Sequence, residues 1–206
     1  MTPQKITTAP LPYLLYTPKP AAKLPLILFL HGSGERGDDL DHVGDHGLSE
    51  ILANLPEAAL VVAPQCPANA RWTDHLHALE TILDAVIAEH PADKSRVYLT
   101  GLSLGGQGAW FLAARAPQRF AALVPVCGRS NPGAADRLKN LPTWTFHGAD
   151  DNIVPLNEST KMVSALEAVG GTVKLTMYPG TGHNSWTRAY SEPELYMWLF
   201  AQSQTG

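Results

Sequence analysis

The chain has 206 residues, of which 45% are hydrophobic and 17% are charged, and its formal net charge is −4. This length and apolar content predict a single domain over residues 1–206 with one large core. The excess of acidic over basic residues argues against a nucleic-acid partner, which would need clustered Lys and Arg.

The sequence carries no sign of membrane insertion or export. No apolar run reaches the roughly 20 residues that a membrane helix needs, and the N-terminus lacks a basic segment followed by an apolar one. We therefore expect a cytoplasmic protein without a membrane span; a secreted chain trimmed of its signal would look the same. Cys66 and Cys127 follow predicted strands that lie about three strand spacings apart, roughly 14 Å, so we expect free thiols.

Six short apolar runs, each ending at or near Gly or Pro, alternate with helical patterns along the chain. Such unbroken runs are typical of strands that are buried on both faces of a parallel sheet. The predicted strands cover residues 26–30, 60–63, 97–100, 122–126, 143–146 and 173–178.

Helical patterns fill the intervals between these strands. The predicted helices cover residues 74–90, 104–116, 158–169 and 192–201. Asn157 is predicted to cap the third helix and Gly170-Gly171 to end it. The last helix opens with Ser191-Glu192-Pro193-Glu194, which has the spacing of a capping box. The alternation predicts an α/β fold with a mostly parallel sheet, whose ligands bind at the carboxyl ends of the strands.

The most informative motif follows the strand at residues 97–100. Gly101-Leu102-Ser103-Leu104-Gly105 is a G-x-S-x-G sequence between a predicted strand and a predicted helix. In that context the turn strains the serine, exposes its hydroxyl above the sheet and sets the helix N-terminus beside it. Glycine is needed at both flanking positions because side chains there would collide with the neighbouring strand and helix. Ser103 is therefore the candidate nucleophile rather than one more serine in a glycine-rich loop.

Two later strand ends supply groups that would activate this serine. Asp150 and Asp151 follow the strand at residues 143–146, where a carboxylate can accept a hydrogen bond from a histidine. We favour Asp151 and interpret Asp150 as a loop cap. His183 follows the last strand in a glycine-rich loop, and histidine titrates near neutral pH, so it can take and return the serine proton. The order Ser103, Asp151, His183 is that of the α/β-hydrolases.

The loop after the first predicted strand is the candidate oxyanion hole. Its small residues, in His31-Gly32-Ser33-Gly34, let the backbone approach a substrate. The predicted donors are the backbone N–H groups of Ser33 and Leu104. His31 is predicted to bond the loop backbone, because His183 already fills the role of base.

Four stretches spanning about residues 26 to 200 carry a family resemblance. They are residues 31–38, residues 64–67 with Trp72, the serine turn, and residues 178–186. Together they resemble the small single-domain esterases of the α/β-hydrolase superfamily, related to dienelactone hydrolases, phospholipase/carboxylesterases and feruloyl-type esterases. Dienelactone hydrolases carry a cysteine nucleophile where this chain has Ser103.

The resemblance implies an α/β-hydrolase fold with helices on both faces of the sheet, and hydrolysis of carboxylic esters through an acyl-serine. It also implies Asp151 as the acid, at the G-x-x-D-x-x-x-P position of the family. A serine triad needs neither a metal nor a cofactor, and we expect neither. The expected partner is a small-molecule ester, and the expected state is a monomer or a homodimer.

Several other residues bear on the substrate. The segment 127–142 is short where lipases of this fold insert a lid, which predicts no large lid and favours short-chain or soluble esters. Trp72 and Trp186 are predicted to line the substrate pocket. Glu35 and Arg36 are predicted to pair and brace the oxyanion loop. The Asp- and His-rich residues 38–46 are interpreted as a solvated loop rather than a metal site.

Two other functions share these features. A peptidase or amidase of the same fold would use the same triad, because the triad does not distinguish amides from esters. The missing propeller or cap domain, which would select peptides, weighs against it. A non-catalytic ligand-binding module could also keep the fold, but a complete set of nucleophile, acid and base argues against that function.

Overall fold

An eight-stranded sheet forms the centre of the computed structural model, which describes residues 2–19 and 23–204. Its strands are β1 (Gln4–Ile6), β2 (Tyr13–Tyr16), β3 (Leu24–Leu30), β4 (Leu60–Pro64), β5 (Ala92–Leu102), β6 (Ala122–Val126), β7 (Thr143–Gly148) and β8 (Val173–Tyr178). They lie in the order β1-β2-β4-β3-β5-β6-β7-β8. Strands β3 to β8 are parallel, whereas β1 and β2 extend the β4 edge in antiparallel pairs. The predicted α/β class with a mostly parallel sheet is confirmed.

Helices cover both faces of this sheet. The α-helices are α1 (Leu48–Asn54), α2 (Leu76–Glu89), α3 (Leu104–Arg115), α4 (Ala135–Leu138), α5 (Asn157–Ala168), α6 (Trp186–Ala189) and α7 (Pro193–Phe200). Shorter 3-10 helices span Leu40–Gly44, Trp72–Asp74, Pro117–Arg119 and Pro132–Ala134. None of the helices in the described ranges is both long and apolar enough to cross a membrane.

The alternation of side chains along β3 shows why its residues are all apolar. Leu28 and its same-face neighbours pack in one core cluster with the apolar side chains of α2, α3 and α5. Ile27 and Phe29 point to the other face and join a second cluster with α1 and α7. Burial of both faces requires an unbroken apolar strand, and this removes large apolar areas from water.

Two predicted helix caps are wrong. The chain is already helical at Leu156 (φ −48°, ψ −30°), so Asn157 lies inside the first turn of α5 and its side chain caps nothing. Ser191 donates its hydroxyl to the Thr187 carbonyl instead of capping α7, which follows Glu192 without a side-chain cap. The glycine stop after α5 is confirmed, because Gly170 has the left-handed φ of +75° that ends a helix.

The sheet order also settles the prediction for the cysteines. Strands β3 and β5 lie between β4 and β6, so Cys66 and Cys127 follow strands that are three spacings apart. Both cysteines are buried and free, as predicted. The segment 127–142 holds only a 3-10 turn and the four-residue α4 before β7 begins.

Candidate active site

The turn between β5 and α3 presents Ser103 at the carboxyl edge of the sheet. Ser103 has φ 52° and ψ −113°, a left-handed conformation that is unfavourable for a residue with a side chain. Its N–H donates to the Val126 carbonyl at 2.9 Å, and its carbonyl accepts from Gln107 N–H at 3.0 Å. The surrounding structure therefore holds the strained turn in place.

Two glycines make this turn possible. A Cβ on Gly105 would collide with the backbone oxygens of Leu30 and His31 at the end of β3. A Cβ on Gly101 would lie 2.8 Å from the Leu30 oxygen and 2.5 Å from the Gly105 oxygen. Helix α3 thus begins directly against β3 and immediately after Ser103, and its first N–H groups have no partner within the helix.

The loops after β7 and β8 bring Asp151 and His183 together. Ala149 N–H donates to the Tyr178 carbonyl and Asp150 N–H to the Thr181 carbonyl, both at 2.9 Å. Gly148 permits this approach, because a Cβ there would collide with the backbone of the β8 loop. Two segments that are 32 residues apart in the chain are thereby fixed side by side.

A continuous hydrogen-bonded chain joins the three predicted triad residues. Ser103 Oγ lies 2.8 Å from His183 Nε2, and His183 Nδ1 lies 2.7 Å from Asp151 Oδ2. Since an ionised carboxylate can only accept, Nδ1 carries the proton and Nε2 is free to accept from the serine. The arrangement can therefore remove a proton from Ser103.

Asp151 also performs the loop-capping role that was predicted for Asp150. Its Oδ1 accepts from the backbone N–H groups of Ile153 and Val154, each at 2.9 Å. Burial alone would raise the pKa of Asp151, but the hydrogen bonds from His183 and these two N–H groups hold the pKa below its ordinary value. Asp150 is exposed instead. The carboxylate beside His183 is therefore kept ionised.

The loop after β3 is braced from several directions. The prediction that Glu35 and Arg36 pair with each other is wrong, although both residues do hold the loop. Arg36 donates to the carbonyls of Ser33 at 3.1 Å and Ala70 at 3.2 Å. Glu35 is buried and accepts from His46 Nδ1 at 2.5 Å.

His31 bonds the loop backbone, as predicted. Its Nε2 accepts from Cys66 N–H at 3.0 Å, and its Nδ1 donates to the Gly32 carbonyl at 2.6 Å. Burial lowers the pKa of His31, which matches a neutral ring with one donor and one acceptor. The ring thus fixes the path of the chain between β3 and the candidate oxyanion hole.

A cleft of about 250 Å³ opens beside the nucleophile. Its lining residues are Ser33, Arg36, Arg71, Ser103, Leu104, Gln107, Arg129, Ile153 and Val154. Both predicted oxyanion residues, Ser33 and Leu104, therefore border the same space as the Ser103 side chain.

The two predicted pocket tryptophans have different positions. The prediction that Trp72 lines the pocket is wrong, because its side chain is 0% exposed and donates through Nε1 to the His31 carbonyl at 3.0 Å. It supports the oxyanion loop from inside the core. Trp186 is partly exposed, with its ring 5.5 Å from the ring of His183, and it stays a candidate for substrate contact.

One group of potential metal donors lies in the described part of the chain, and it overlaps the triad. Cys127 Sγ and donor atoms of Asp151 and His183 lie within 4.8 Å of one another. Burial raises the pKa of the Cys127 thiol to about 12, so the neutral thiol is a poor ligand. The carboxylate and imidazole are already bonded to each other. These groups are therefore better explained as two members of the triad with a buried thiol close to them.

Sequence reasoning missed residues that support or line the site. His147 contacts Asp151 and Ser159, and its position four residues before the acid at a strand end was the available signal. Arg71 and Arg129 line the cleft, but exposed arginines in loops gave no signal before the fold was known. Gln65 donates to the carbonyls of Glu35 and Asp39 and ties the oxyanion loop to the end of β4.

Comparisons with known proteins show which proteins this chain is similar to. A family profile described as the dienelactone hydrolase family matches residues 68–194. The chain is 28% identical over 139 residues to a bifunctional acetylxylan esterase/xylanase from Neocallimastix patriciarum, covering 65% of this chain and 20% of that protein. It is 27% identical over 168 residues to a poly(3-hydroxyoctanoate) depolymerase from Pseudomonas fluorescens, covering 66% of this chain and 59% of that protein.

The solved structures agree on the fold. A crystal structure described as a thermostable esterase superposes with a TM-score of 0.86 at 32% identity, covering 98% of this chain and 63% of that one. The α/β-hydrolase fold implied by the sequence resemblance is therefore confirmed. The chain spans only 20% and 22% of the lengths of the first two curated relatives it matches.

Proposed function

The chain belongs to the dienelactone hydrolase family, and we propose that it is a carboxylesterase-type serine hydrolase that acts through an acyl-serine. The observation that carries the proposal is the chain of contacts from Ser103 to His183 at 2.8 Å and from His183 to Asp151 at 2.7 Å. An aligned nucleophile, base and acid would serve no purpose in a module that only binds ligands. These contacts favour catalysis over the ligand-binding alternative.

The proposed reaction has two halves, acylation of Ser103 and deacylation, and each group of the site acts in both. Ser103 Oγ attacks the ester carbonyl while His183 Nε2 takes its proton, and the Leu104 and Ser33 N–H groups stabilise the oxyanion. His183 then gives the proton to the departing alcohol, which leaves an acyl-serine. Water attacks this acyl group with His183 again as base, and the acid is released as Ser103 regains its proton. Asp151 stabilises the imidazolium in both halves.

Matched ester and amide substrates test the reaction class. We expect turnover of 4-nitrophenyl acetate and no detectable turnover of 4-nitroacetanilide, because the anilide is a much poorer leaving group than 4-nitrophenolate and the amide carbonyl is less electrophilic. Equal kcat/KM values for the two would favour an amidase. No turnover of either would favour a ligand-binding module.

The cleft favours small or soluble esters. Its volume of about 250 Å³ lies just below the range of roughly 300 to 1,000 Å³ that is typical of small-molecule sites. Ile153 is 61% exposed at its edge, which offers a short apolar contact beside the acid loop. The segment 127–142 adds only short helices there. We therefore propose short-chain acyl groups without interfacial activation.

The charge of the cleft further limits the class of esters that we expect as substrates. Its described lining includes Arg36, Arg71 and Arg129 and no Asp or Glu. Arg36 is engaged by loop carbonyls, and Arg129 lies 3.9 Å from Glu158. Among the described residues, no carboxylate lies within 4.0 Å of the exposed Arg71 guanidinium. We therefore propose esters that carry a carboxylate on the acyl or alcohol part.

A matched substrate pair tests this charge preference. We expect Arg71→Gln to raise KM for 4-nitrophenyl hydrogen succinate about two- to fivefold, the range for an exposed charge pair, and to leave the neutral pentanoate ester unchanged. Arg137 is exposed on α4, so Arg137→Gln makes the same change in net charge at another exposed position and is the control. If Arg71→Gln changes both esters equally, or Arg137→Gln has the same effect, the charge preference is wrong.

A further inference from the structure

A second imidazole contacts the Asp151 carboxylate. His147 lies in β7, one residue before the strand ends, and its side chain is fully buried. Its Nε2 lies 3.2 Å from Asp151 Oδ2 and 2.8 Å from the Val154 carbonyl oxygen. Its Nδ1 lies 2.7 Å from the hydroxyl of Ser159, which is buried on α5. The ring therefore connects the acid of the triad to a helix on the face of the sheet.

The partners of this ring determine where its proton lies. Nε2 faces a carbonyl and an ionised carboxylate, and both of these groups can only accept. Nε2 must therefore carry a proton. Nδ1 then accepts from the Ser159 hydroxyl in the neutral ring, so Ser159 selects the form of His147 that donates to the Val154 carbonyl and keeps its N–H group close to Asp151.

Both oxygens of the Asp151 carboxylate are thereby held. Oδ1 accepts from the N–H groups of Ile153 and Val154, and Oδ2 is close to both His183 Nδ1 and His147 Nε2. The group is fully buried, so no solvent can replace a lost donor. Without His147, the Val154 carbonyl would lose its hydrogen-bond donor, and Oδ2 would lose the imidazole nitrogen that lies 3.2 Å away. His147 thus restricts the direction in which Oδ2 points.

We infer that His147, held by Ser159, is a positioning residue that fixes the Asp151 carboxylate against His183 and weakens its pull on the His183 proton. This inference rests on the proposed ester hydrolysis, in which His183 must be neutral to accept from Ser103. His147 itself does not touch the reacting atoms.

The sign of the expected pH effect follows from the charges around the ring. Asp151 is the titratable side chain in contact with His147, and His183 lies beyond it. Glu158, next to Ser159, contacts Ser130 instead. The N–H group of His147, with Nε2 3.2 Å from Oδ2, is a positive dipole that disperses the carboxylate charge, so its removal makes the acid hold protonated His183 more tightly. In a plot of kcat/KM against pH, the acid limb, where activity falls because His183 becomes protonated, should then move to higher pH.

Two substitutions at the same position separate the donor from the packing. Leucine fills space but donates nothing, whereas glutamine can place an N–H near the position of Nε2. We expect His147→Leu to lower kcat/KM about 10- to 100-fold, because the Val154 carbonyl loses its donor and the buried Asp151 carboxylate loses a close N–H group. Its acid limb should rise by about half a pH unit or more. His147→Gln should stay close to the wild type in kcat/KM and in the position of the acid limb. Active sites are counted by fluorophosphonate titration, so that kcat/KM refers to folded enzyme.

A purely structural role would give a different pattern. It would lower the amount of folded enzyme while leaving the acid limb of the titrated sites in place. A wild-type acid limb in His147→Leu, or an equal loss in the Leu and Gln variants, would overturn the inference. Ser159→Ala should shift the limb in the same direction by a smaller amount, and a shift to lower pH would also contradict it.

A measurement on the unmodified protein covers the case in which His147→Leu does not fold. Nitrogen-15 NMR of the histidine rings should find His147 protonated at Nε2, and an unprotonated Nε2 would overturn the inference. This reading needs no turnover, so it distinguishes a failure at His147 from a failure of the proposed ester hydrolysis.

Discussion

Replacement of Ser103 by alanine is expected to lower kcat for 4-nitrophenyl acetate by about 10⁴- to 10⁶-fold, down to the background rate. The hydroxyl that His183 contacts at 2.8 Å is the sole group lost. Alanine keeps the N–H that bonds Val126 and the carbonyl that accepts from Gln107, so the turn itself is preserved. The melting temperature should therefore stay close to that of the wild type while turnover disappears.

Ser49→Ala is the matched control for this loss. Ser49 is exposed on α1 and contacts only its neighbour Glu50 through its hydroxyl. Its kcat and KM should equal those of the wild type. If Ser103→Ala retained more than a small fraction of the wild-type turnover, another group would have to be the nucleophile.

Asp151→Asn is expected to lower kcat by about 10³- to 10⁴-fold with little change in KM, the effect known for such a change in a serine triad. Asparagine can still accept from the Ile153 and Val154 N–H groups through Oδ1, so the loop is retained. Its NH₂ group would replace Oδ2 and face His183 Nδ1. That favours the tautomer with the proton on Nε2, which cannot accept from Ser103.

Asp150→Asn removes the same charge one residue away. Asp150 is exposed, and only its backbone N–H is bonded, to the Thr181 carbonyl. Activity and its pH dependence should be unchanged. Steady-state kinetics of Asp150→Asn and Asp151→Asn test this assignment. A larger loss of kcat in Asp150→Asn than in Asp151→Asn would show that Asp151 is not the acid of the triad.

The strands that carry the site could be predicted because their environment imposes a local pattern. A strand buried on both faces, such as β3, must be apolar throughout, and a loop with catalytic groups must begin where it ends. The antiparallel strands at the sheet edge were missed. β1 is short and largely exposed, and its extended shape comes from pairing with β2. In β2, four apolar residues between prolines were a signal that could have been used.

The remaining errors depend on contacts that no local pattern encodes. Trp72 follows a strand and resembles a pocket residue, but its 3-10 helix turns it inward onto the His31 carbonyl. Helix α1 was not predicted, because it begins after Gly47, which has a φ of +76° and supplies no side-chain cap that the sequence could show. The contact between His147 and Asp151 exists because the loop after β7 folds back through the hydrogen bonds of Asp151 to its own backbone.

Covalent labelling tests the central claim most directly, namely that Ser103 is activated by His183 and Asp151. A fluorophosphonate probe should add one group per chain, and peptide mapping should locate it on Ser103, with labelling slowed in Asp151→Asn and absent in Ser103→Ala. Modification of a different residue, or an unlabelled protein that still hydrolyses esters, would contradict the account.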